Sequence, residues 1–258
     1  MAIDVAAPTL NSTATKADFD KDATPRPILN RILRHDLVTS DFDELKFHAA
    51  ASRQLQLGDE NTQHESSDID SRLIASPYNG SAHLLDLNSL DTQSRLLSLA
   101  LTYFTPTRDD YATAEYLDSF NWTEVFALLK MFSEAESHTW TKQTFYVVSF
   151  RSVLKPGVDN DHLHDLDAYS HQEATTSGGL LKYWFGTKNV KRQNLATCIW
   201  RNRNDARLGG RGPWHAKARV AGRELYEDIE FSTLKLVIED DVSSWSMSGW
   251  TSEDESGI

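Results

Sequence analysis

Hydrophobic and polar positions follow regular periods between residues 76 and 245 and predict most of the secondary structure there. Apolar, β-branched or alternating runs predict strands over 96–105, 143–153, 194–201 and 228–240. Apolar residues at helical spacing predict helices over 109–132 and 213–225, and two helical pieces within 160–186 that separate at Gly178-Gly179. The predicted order is strand, helix, strand, inserted helices, strand, helix, strand.

That order is the β-α-β-β-α-β plan of ferredoxin-like α+β proteins, with an insertion between the second and third strands. Two helices cover one face of a four-stranded sheet, and an apolar face cannot be left in water. A second subunit, the inserted helices or the N-terminal residues can each cover the other face. We favour pairing of two sheets into a dimeric α/β barrel, a homodimer with a pocket between its sheet and helices.

The two ends of the chain carry weaker patterns. Residues 1–75 mix polar residues with short apolar pieces, so we expect a largely irregular N-terminal arm with one local helix over 27–38. Residues 246–258 form an acidic C-terminal tail, and Trp245 and Trp250 can anchor part of this end. The predicted organisation is therefore an arm (1–75), one barrel-like α+β domain (76–245) and a tail (246–258).

The acidic balance of the chain argues against several partners. Its 258 residues hold 38 Asp and Glu against 26 Lys and Arg, a net charge of −12, which disfavours nucleic acids and anionic membranes. The longest apolar run falls well short of the ~20 residues of a membrane-spanning helix, and the first ten residues lack the pattern of a secretory signal. The single cysteine, Cys198, permits no intrachain disulfide, so we expect a reducing, cytoplasmic location.

Three stretches resemble an uncharacterised fungal protein family: YFTPTRDDYATAEYLDSFNW, TFYVVSFRSVLKPG and ATCIWRNRNDARLGGRGPWHAKARVAGRELYEDIEF. The similarity covers about residues 76–245, and residues 200–219 are its most distinctive part. The family has no agreed activity, so the resemblance implies a fungal origin and a single domain. Some similar fungal proteins accompany polyketide or terpenoid pathways, which implies a small aromatic substrate and assigns no catalytic residue.

The first candidate site is a basic segment. Residues 182–223 hold 11 Lys or Arg against one acid, Asp205. On the helix after Pro213, the side chains of His215, Arg219 and Tyr226 lie near one another, and the helix dipole disfavours a protonated His215. His215 is then a candidate general base, with Arg219 holding a phenolate or enolate. The alternative is that these charges are solvated or pair with acidic side chains.

The second candidate site is the segment DHLHDLDAYSHQE (161–173). His164, Asp167 and His171 share one helix face, and a histidine beside a carboxylate can bind a divalent metal or form an acid–base pair. The spacing matches no metalloprotease motif, and an acidic helix is often simply a solvated face. We predict no metal here and take Asp167 and His171 as candidate catalytic residues.

Further residues are candidates for binding the substrate. Arg151 interrupts an apolar strand, and its charge lies either at the strand end in water or in a cavity. Trp184, Trp200 and Trp214 can stack on an aromatic ligand, although core packing is the more common role of such side chains. Arg211, in a glycine-rich loop without a phosphate-binding pattern, and Tyr226 complete the predicted substrate-binding set.

These observations favour a cofactor-independent enzyme that binds a small aromatic or polyketide-like molecule and transfers protons. Isomerisation or cyclisation, such as addition of a hydroxyl to an alkene, is the expected reaction. No nucleotide-binding motif is present, so no cofactor is predicted, although a haem held by one histidine would leave no spacing to recognise. The alternative is a non-catalytic module that binds a small ligand or another protein; RNA binding on the sheet is a weaker third possibility.

Overall fold

The computed structural model of the chain describes residues 31–48, 50–57, 71–251 and 254. Within these residues the strands are β1 Arg31–Leu33, β2 Leu55–Leu57, β3 Arg72–Leu73, β4 Leu85–Asp86, β5 Gln143–Leu154, β6 Leu180–Phe185, β7 Gln193–Trp200, β8 Tyr226–Ile238 and β9 Trp245–Gly249. The α-helices are α1 Phe42–Phe47, α2 Thr92–Ala100, α3 Trp122–Ala135, α4 Asn160–Ser177, α5 Arg203–Gly209 and α6 Pro213–Leu225. None of the helices in the described part of the chain is both long and apolar enough to cross a membrane.

The central element is an antiparallel sheet with the strand order β6-β7-β5-β8-β9. Taken in chain order, β5, α4, β6, β7, α6 and β8 form the β-α-β-β-α-β unit, and their strands lie in the order 2-3-1-4. This arrangement confirms the predicted α+β, ferredoxin-like class. The predicted insertion was wrong, because the unit begins at β5 and residues 160–185 supply its first helix and second strand, α4 and β6. The strand β9 extends the sheet beside the C-terminal half of β8, from Leu234 to Ile238.

The fold class is confirmed, but two of the predicted elements were wrong. Residues 96–105, predicted as the first strand, belong to α2 and a following 3-10 turn at Leu101–Tyr103. Asp91 caps α2 by accepting a hydrogen bond from the Ser94 amide, and a short apolar run does not distinguish a buried helix from a buried strand. Residues 180–185, predicted as helical, form the edge strand β6 instead.

The remaining predictions differ from the structure mainly in extent. The strands at 143–153, 194–201 and 228–240 and the helix at 213–225 are confirmed within two residues at each end. The helix predicted over 109–132 exists only from Trp122 onward, because residues 109–121 form turns and a short 3-10 segment. In the predicted helix 27–38, residues 27–30 lie outside the described residues, and Arg31–Leu33 form β1.

The two faces of the central sheet have different coverings. Alternate residues of a strand point to opposite faces, so Phe145 and Val147 lie on one face, here called the core face, and Tyr146 and Val148 lie on the other, the helix face. The helix α4 packs over the helix face beside β6, and α6 packs chiefly against α4. This leaves the β5–β8 side of the helix face less covered.

The core face is covered by the chain itself. Leu96 and Leu97 of α2 and Val125 and Leu129 of α3 are buried in one cluster with Phe145 and other sheet residues. Each such side chain contributes roughly 1.5–3 kcal/mol when it leaves water. An intrachain layer therefore occupies the face that the sequence analysis assigned to a second subunit. The homodimer stays a prediction, but an uncovered face no longer requires it.

Parts of the two ends pack against this domain. Among the described residues of the predicted arm, Leu33, Leu45 and Gln54 are buried. The Gln54 side chain accepts a hydrogen bond from the Ile74 amide at 2.7 Å and donates one to the Arg72 carbonyl at 2.6 Å, so it ties residues 50–54 to β3. At the C-terminal end, Trp245 packs on Phe126 with ring centroids 4.7 Å apart.

A β-bulge in β6 turns a lysine toward the core face. Leu180 pairs with Trp200 and Lys182 pairs with Ile199, which leaves Leu181 as the extra residue. Residues directly opposite each other on antiparallel strands point to the same face, so Lys182 shares the core face with Ile199. Burial lowers the pKa of Lys182 to about 8.

Replacing Lys182 by methionine is expected to stabilise the protein near neutral pH, by about 1–3 kcal/mol, because it removes a buried ammonium. The folded-state pKa of Lys182 lies below the ~10.4 of an unfolded lysine, so folding releases a proton and the penalty fades as pH rises from about 8 to about 10.4. Chemical denaturation of the wild-type and variant proteins across this range measures the difference. The exposed Lys188→Met variant is the control, and equal stability of all three proteins would contradict the prediction.

Candidate functional site

The Asp167 carboxylate is the centre of a polar cluster between α4 and the helix face. Its Oδ2 accepts a hydrogen bond from the Tyr78 hydroxyl at 2.6 Å, and its Oδ1 accepts one from the Tyr183 hydroxyl at 2.5 Å. Tyr183 lies on β6, whereas Tyr78 lies in the segment between β3 and β4, far away in sequence. The cluster therefore joins three separate parts of the chain.

Local sequence explains why Asp167 points toward the sheet. The helix α4 begins after Asp159, whose carboxylate accepts hydrogen bonds from the amides of Asp161 and His162. Asp167, His171 and Ala174 then recur at spacings of four and three residues, which places them on one side of the helix. His171 and Ala174 are buried on that side.

Burial is the main influence on ionisation within the cluster. Protein atoms surround Asp167 on most sides, and this burial raises the pKa of its carboxyl despite the hydrogen bonds from Tyr183 and Tyr78 and the nearby His164 and His215. Burial, followed by the charge of Asp167, raises the pKa of both tyrosines above the ordinary value. The tyrosines thus remain hydrogen-bond donors, and Asp167 is a stronger base than an exposed aspartate.

An apolar surface lies beside this carboxylate on the sheet. Tyr183 pairs with Cys198 and Cys198 with Val148, and the next row contains Phe150 and its partner Phe231. The rings of Phe150 and Phe231 meet edge to face at 5.0 Å, and Phe231 is 58% exposed. The half-covered part of the helix face therefore presents aromatic and aliphatic side chains to solvent.

Two residues of the sequence analysis lie near Asp167 without bonding to it. Burial and the charge of Asp167 raise the pKa of Tyr226, a predicted substrate-binding residue, to about 12. The same two causes raise the pKa of Cys198 well above its ordinary value. The Cys198 thiol is consequently protonated at neutral pH, which disfavours a role as a nucleophile.

His171, predicted as catalytic, is paired with another histidine. Its Nδ1 lies 2.8 Å from Nδ1 of His83, so one ring donates and the other accepts. Burial lowers the pKa of His171 to about 3, with smaller effects from the charges of His83 and His215. His171 is therefore neutral at pH 7. The His83 ring also stacks on Tyr78 at 4.8 Å, so the pair adjoins the Asp167 cluster.

His215, also predicted as catalytic, belongs to the cap of α6. The Glu173 carboxylate on α4 accepts hydrogen bonds from the Trp214 amide at 2.7 Å, the His215 amide at 3.1 Å and the His215 Nδ1 at 3.0 Å. Gly212, the N-cap residue of α6, has no side chain that could accept these hydrogen bonds, so the Glu173 carboxylate caps the helix instead. A Cβ atom on Gly212 would lie 2.1 Å from Glu173 Oε2, so only glycine leaves room for this carboxylate.

The two predicted arginines of the basic segment lie on the surface. Arg219 is exposed, and its Nη1 donates to the Gly210 carbonyl at 2.8 Å. Arg211 is exposed as well. The structure does not place either guanidinium in the Asp167 cluster. Helical spacing predicted that Arg219 lies near His215, but it carries no information about residues on β6 or on the segment before β4.

Trp214 lines a groove between the two helices rather than a pocket above the sheet. The groove has a volume of about 600 Å³, and its walls include Leu166 of α4 and Ala221 of α6. The Trp214 ring stacks on Tyr169 with a centroid distance of 4.2 Å, and Lys217 Nζ lies 3.8 Å from its centroid. Tyr169 and Lys217 therefore already contact the indole ring.

The other predicted binding residues hold the fold together. Arg151 lies on the core face, where Nη1 donates to the Ala112 carbonyl at 2.5 Å and fixes the loop after α2. Trp184 is buried in the core-face cluster and donates from Nε1 to the Lys46 carbonyl at 2.7 Å. Trp200 is buried on the helix face, where a Cβ on Gly209 would lie 2.3 Å from its ring. Core packing thus accounts for the two tryptophans, and hydrogen bonds to a loop account for Arg151.

Tyr78 and His83 were missed by the sequence analysis, which also gave Tyr183 no role at the site. No spacing rule relates Tyr78 to Asp167, 89 residues later. The only local signal concerns Tyr183. A strand prediction for residues 180–185 would have shown which face of the sheet its side chain points to. Among the residues that the structure describes, no group of three or more His, Cys, Asp or Glu side chains is arranged to hold a metal ion.

Comparison with known proteins identifies the relatives of the chain. Residues 74–249 match the model of a family described as PB2B2.08-like. The UPF0643 protein PB2B2.08 of Schizosaccharomyces pombe is 37% identical over 193 residues, which cover 71% of this chain and 87% of that protein. Both findings confirm the predicted resemblance to an uncharacterised fungal family.

Two solved structures are similar to a smaller part of the chain. Rv0793 from Mycobacterium tuberculosis is 16% identical with a TM-score of 0.31, and it covers 34% of this chain and 91% of its own. SnoaB, a cofactor-independent oxygenase from Streptomyces nogalater, is 12% identical with a TM-score of 0.29, and it covers 35% and 90%. Similarity at this level assigns no activity to the chain.

Replacing Glu173 by alanine is expected to destabilise the protein by about 1–2 kcal/mol, because the N-terminus of α6 loses its cap. The hydrogen bonds from Trp214 and His215 outweigh burial and lower the pKa of Glu173. Its stabilisation is therefore complete near neutral pH and is lost as pH falls through this lowered pKa. Urea denaturation measures the effect, with Asp165→Ala, an exposed change on the same helix, as the control. An equal loss in both variants would contradict a capping role.

Proposed function

This chain belongs to the PB2B2.08-like family, and we propose that it binds a small aromatic molecule on the helix face and transfers a proton on that molecule through Asp167. The observation that carries the proposal is a basic, half-buried carboxylate, held by two tyrosine hydroxyls, next to an exposed aromatic surface. A polar group of fixed orientation beside an apolar wall is the usual arrangement of a small-molecule site.

The chemistry follows from the ionisation of the cluster. With its raised pKa, Asp167 takes a proton from an acidic C–H or O–H group of the bound molecule more readily than an exposed aspartate does. Return of that proton to another carbon isomerises the molecule, and addition of one of its hydroxyls to an alkene closes a ring. Tyr78 and Tyr183 remain protonated and orient the carboxylate throughout.

Asp167 replaces His215 as the proposed base, since the His215 Nδ1 is engaged by Glu173 in the helix cap. Phe150 and Phe231 take the binding role that the sequence analysis gave to tryptophans. Burial and the charge of Asp167 raise the pKa of Tyr226, so Tyr226 stays in the proposed site as a residue near the reacting group. No cofactor is part of this proposal.

A non-catalytic binding role is the second candidate, and the groove between α4 and α6 favours it. Its wall includes Val220, which is 72% exposed, together with Ala216 and Trp214. A ligand held there would contact the two helices and would not approach the oxygens of Asp167, which bind Tyr78 and Tyr183 on the side of the sheet. Binding that survives loss of Asp167 and is unaccompanied by proton exchange supports this candidate.

Replacing Asp167 by asparagine is expected to slow proton exchange by roughly 100-fold or more, because the amide cannot act as a base. The measurement is deuterium uptake from heavy water into 2-tetralone and related aromatic ketones, followed by NMR. Asp165→Asn, an exposed change two residues earlier, is the matched control and should retain the wild-type rate. Equal rates for the two variants, or no exchange by the wild-type protein, would count against proton transfer at Asp167.

The exchange rate is expected to fall on acidification, because the base must be ionised. Since burial raises the pKa of Asp167, the midpoint should lie above the ~3.9 of an unperturbed aspartate. Rates measured from mildly acidic to neutral pH, with circular dichroism to confirm folding at each point, provide the profile. A midpoint at or below the ordinary aspartate value would show that a different group is titrating.

A further inference from the structure

One edge of the central sheet is open along about half of β8. This strand pairs with β5 from Tyr226 to Ile238, whereas β9 pairs only with its C-terminal part, from Leu234 onward. The Trp250 amide then donates to the Thr233 carbonyl at 2.9 Å. In the part of the chain that the structure describes, no strand continues on this side of β8, so residues 227–233 form an edge, here called the open edge.

The chain turns away from the open edge after β9. Asp254, the last residue that the structure describes, pairs through Oδ1 with Lys235 Nζ at 2.5 Å, so the chain returns toward the paired half of β8. Residues 227–231 are all exposed, and the exposed fraction is 58% for Phe231 and 36% for Ile229. The open edge is therefore accessible to a partner.

The register of the sheet shows which backbone groups point away from it. In an antiparallel ladder the N–H and C=O of one residue point to the same neighbouring strand, and those of the next residue point to the opposite side. The Thr233 carbonyl points to the β9 side, so the backbone groups of Phe231 and Ile229 point to that side as well. Those of Ser232 and Glu230 face β5. Two donors and two acceptors are thus directed outward for a further strand.

The side chains of the open edge determine which strand can pair with it. Asp228 and Glu230 are exposed and lie on the core-face side of β8, and Ile229 and Phe231 lie on the helix-face side. Arg151, opposite Glu230 on β5, donates to loop carbonyls instead. Residues opposite each other on paired strands share a face. Two copies of this edge would therefore place carboxylates beside carboxylates, which disfavours pairing of the chain with itself, whereas basic side chains would be attracted.

We propose that the open edge of β8 binds an extended peptide segment in which lysine or arginine alternates with apolar residues, and that this segment adds a strand to the sheet. Its basic side chains lie beside Asp228 and Glu230, and its apolar side chains lie beside Ile229 and Phe231. A segment of about five to seven residues, a usual strand length, matches the open edge. The interaction does not depend on the proton transfer proposed for Asp167.

Two labelled peptides of equal length test the charge preference on the full chain. One alternates lysine with valine and the other alternates glutamate with valine, and fluorescence anisotropy measures the binding of each. The lysine peptide is expected to bind about tenfold more tightly or better, and its binding should weaken as salt is added. The double variant Asp228→Lys, Glu230→Lys should reverse the preference. Equal binding of both peptides, or no binding of the lysine peptide, would overturn the proposal.

Amide exchange measured by NMR distinguishes an added strand from ionic adsorption. The lysine peptide should slow exchange at the outward amides of Ile229 and Phe231 and leave those of Asp228 and Glu230, which already face β5, nearly unchanged. Uniform protection, or none, would overturn the proposal.

A pair of variants at Ile229 tests the backbone contact in particular. Ile229→Pro removes one outward N–H, at an edge orientation that tolerates proline, and should weaken peptide binding by about tenfold. Ile229→Thr keeps the amide and should retain most of the binding, and thermal transitions confirm that both variants fold. Equal losses in the two variants would contradict strand addition. Light scattering measures the mass of the free chain, and a dimer that Ile229→Pro dissociates would assign the edge to a second copy and overturn the proposal.

Discussion

A sheet that is apolar on both faces must be covered on both, and this requirement determines most of the structure. The β-α-β-β-α-β unit supplies helices for only one face, so the chain folds α2 and α3 against the other. These two helices precede the unit in sequence and close the core face within one chain. The helix face is then the place where incomplete covering leaves room for chemistry.

The incomplete covering is a consequence of how α6 is held. It packs on α4 through Leu166, Ala221 and Leu225, and the Glu173 carboxylate fixes its first turn. A helix tied to its neighbour in this way does not lie flat on β5 and β8. Phe150 and Phe231 consequently remain accessible beside the Asp167 carboxylate, which two tyrosines hold against the sheet.

Two polar groups in apolar surroundings illustrate opposite solutions to the same cost. Asp167 keeps both oxygens hydrogen-bonded and is a stronger base as a result of its burial, which is useful for moving protons. Lys182 is buried in the core face, and this burial makes it less easily protonated. Both groups lower the stability of the folded protein relative to an apolar residue at the same position. Groups with shifted pKa values of this kind concentrate at functional sites.

The sequence predicted the fold class and, of the proposed site, Asp167 and Tyr226. Period-two and period-3.6 patterns, which local chemistry sets, gave β5, β7, β8, α6 and the first part of the 160–186 segment. The same patterns failed for α2 and β6, because residues buried on all sides lose the alternation between apolar and polar positions on which such predictions depend. Asp167 could be predicted from the sequence, because a helix places His164, Asp167 and His171 on one face.

The partners of Asp167 could not be found in that way. Contact between Tyr78 and Asp167 depends on the path of the chain between β3 and β4, and the bulge that turns Lys182 depends on its pairing with β7. His215 and Trp214 had the right residue types but were committed to a helix cap and a stacking contact. Sequence therefore determined which elements form, because periodicity is local, and tertiary structure decided which side chains share a site, because long-range packing alone brings them together.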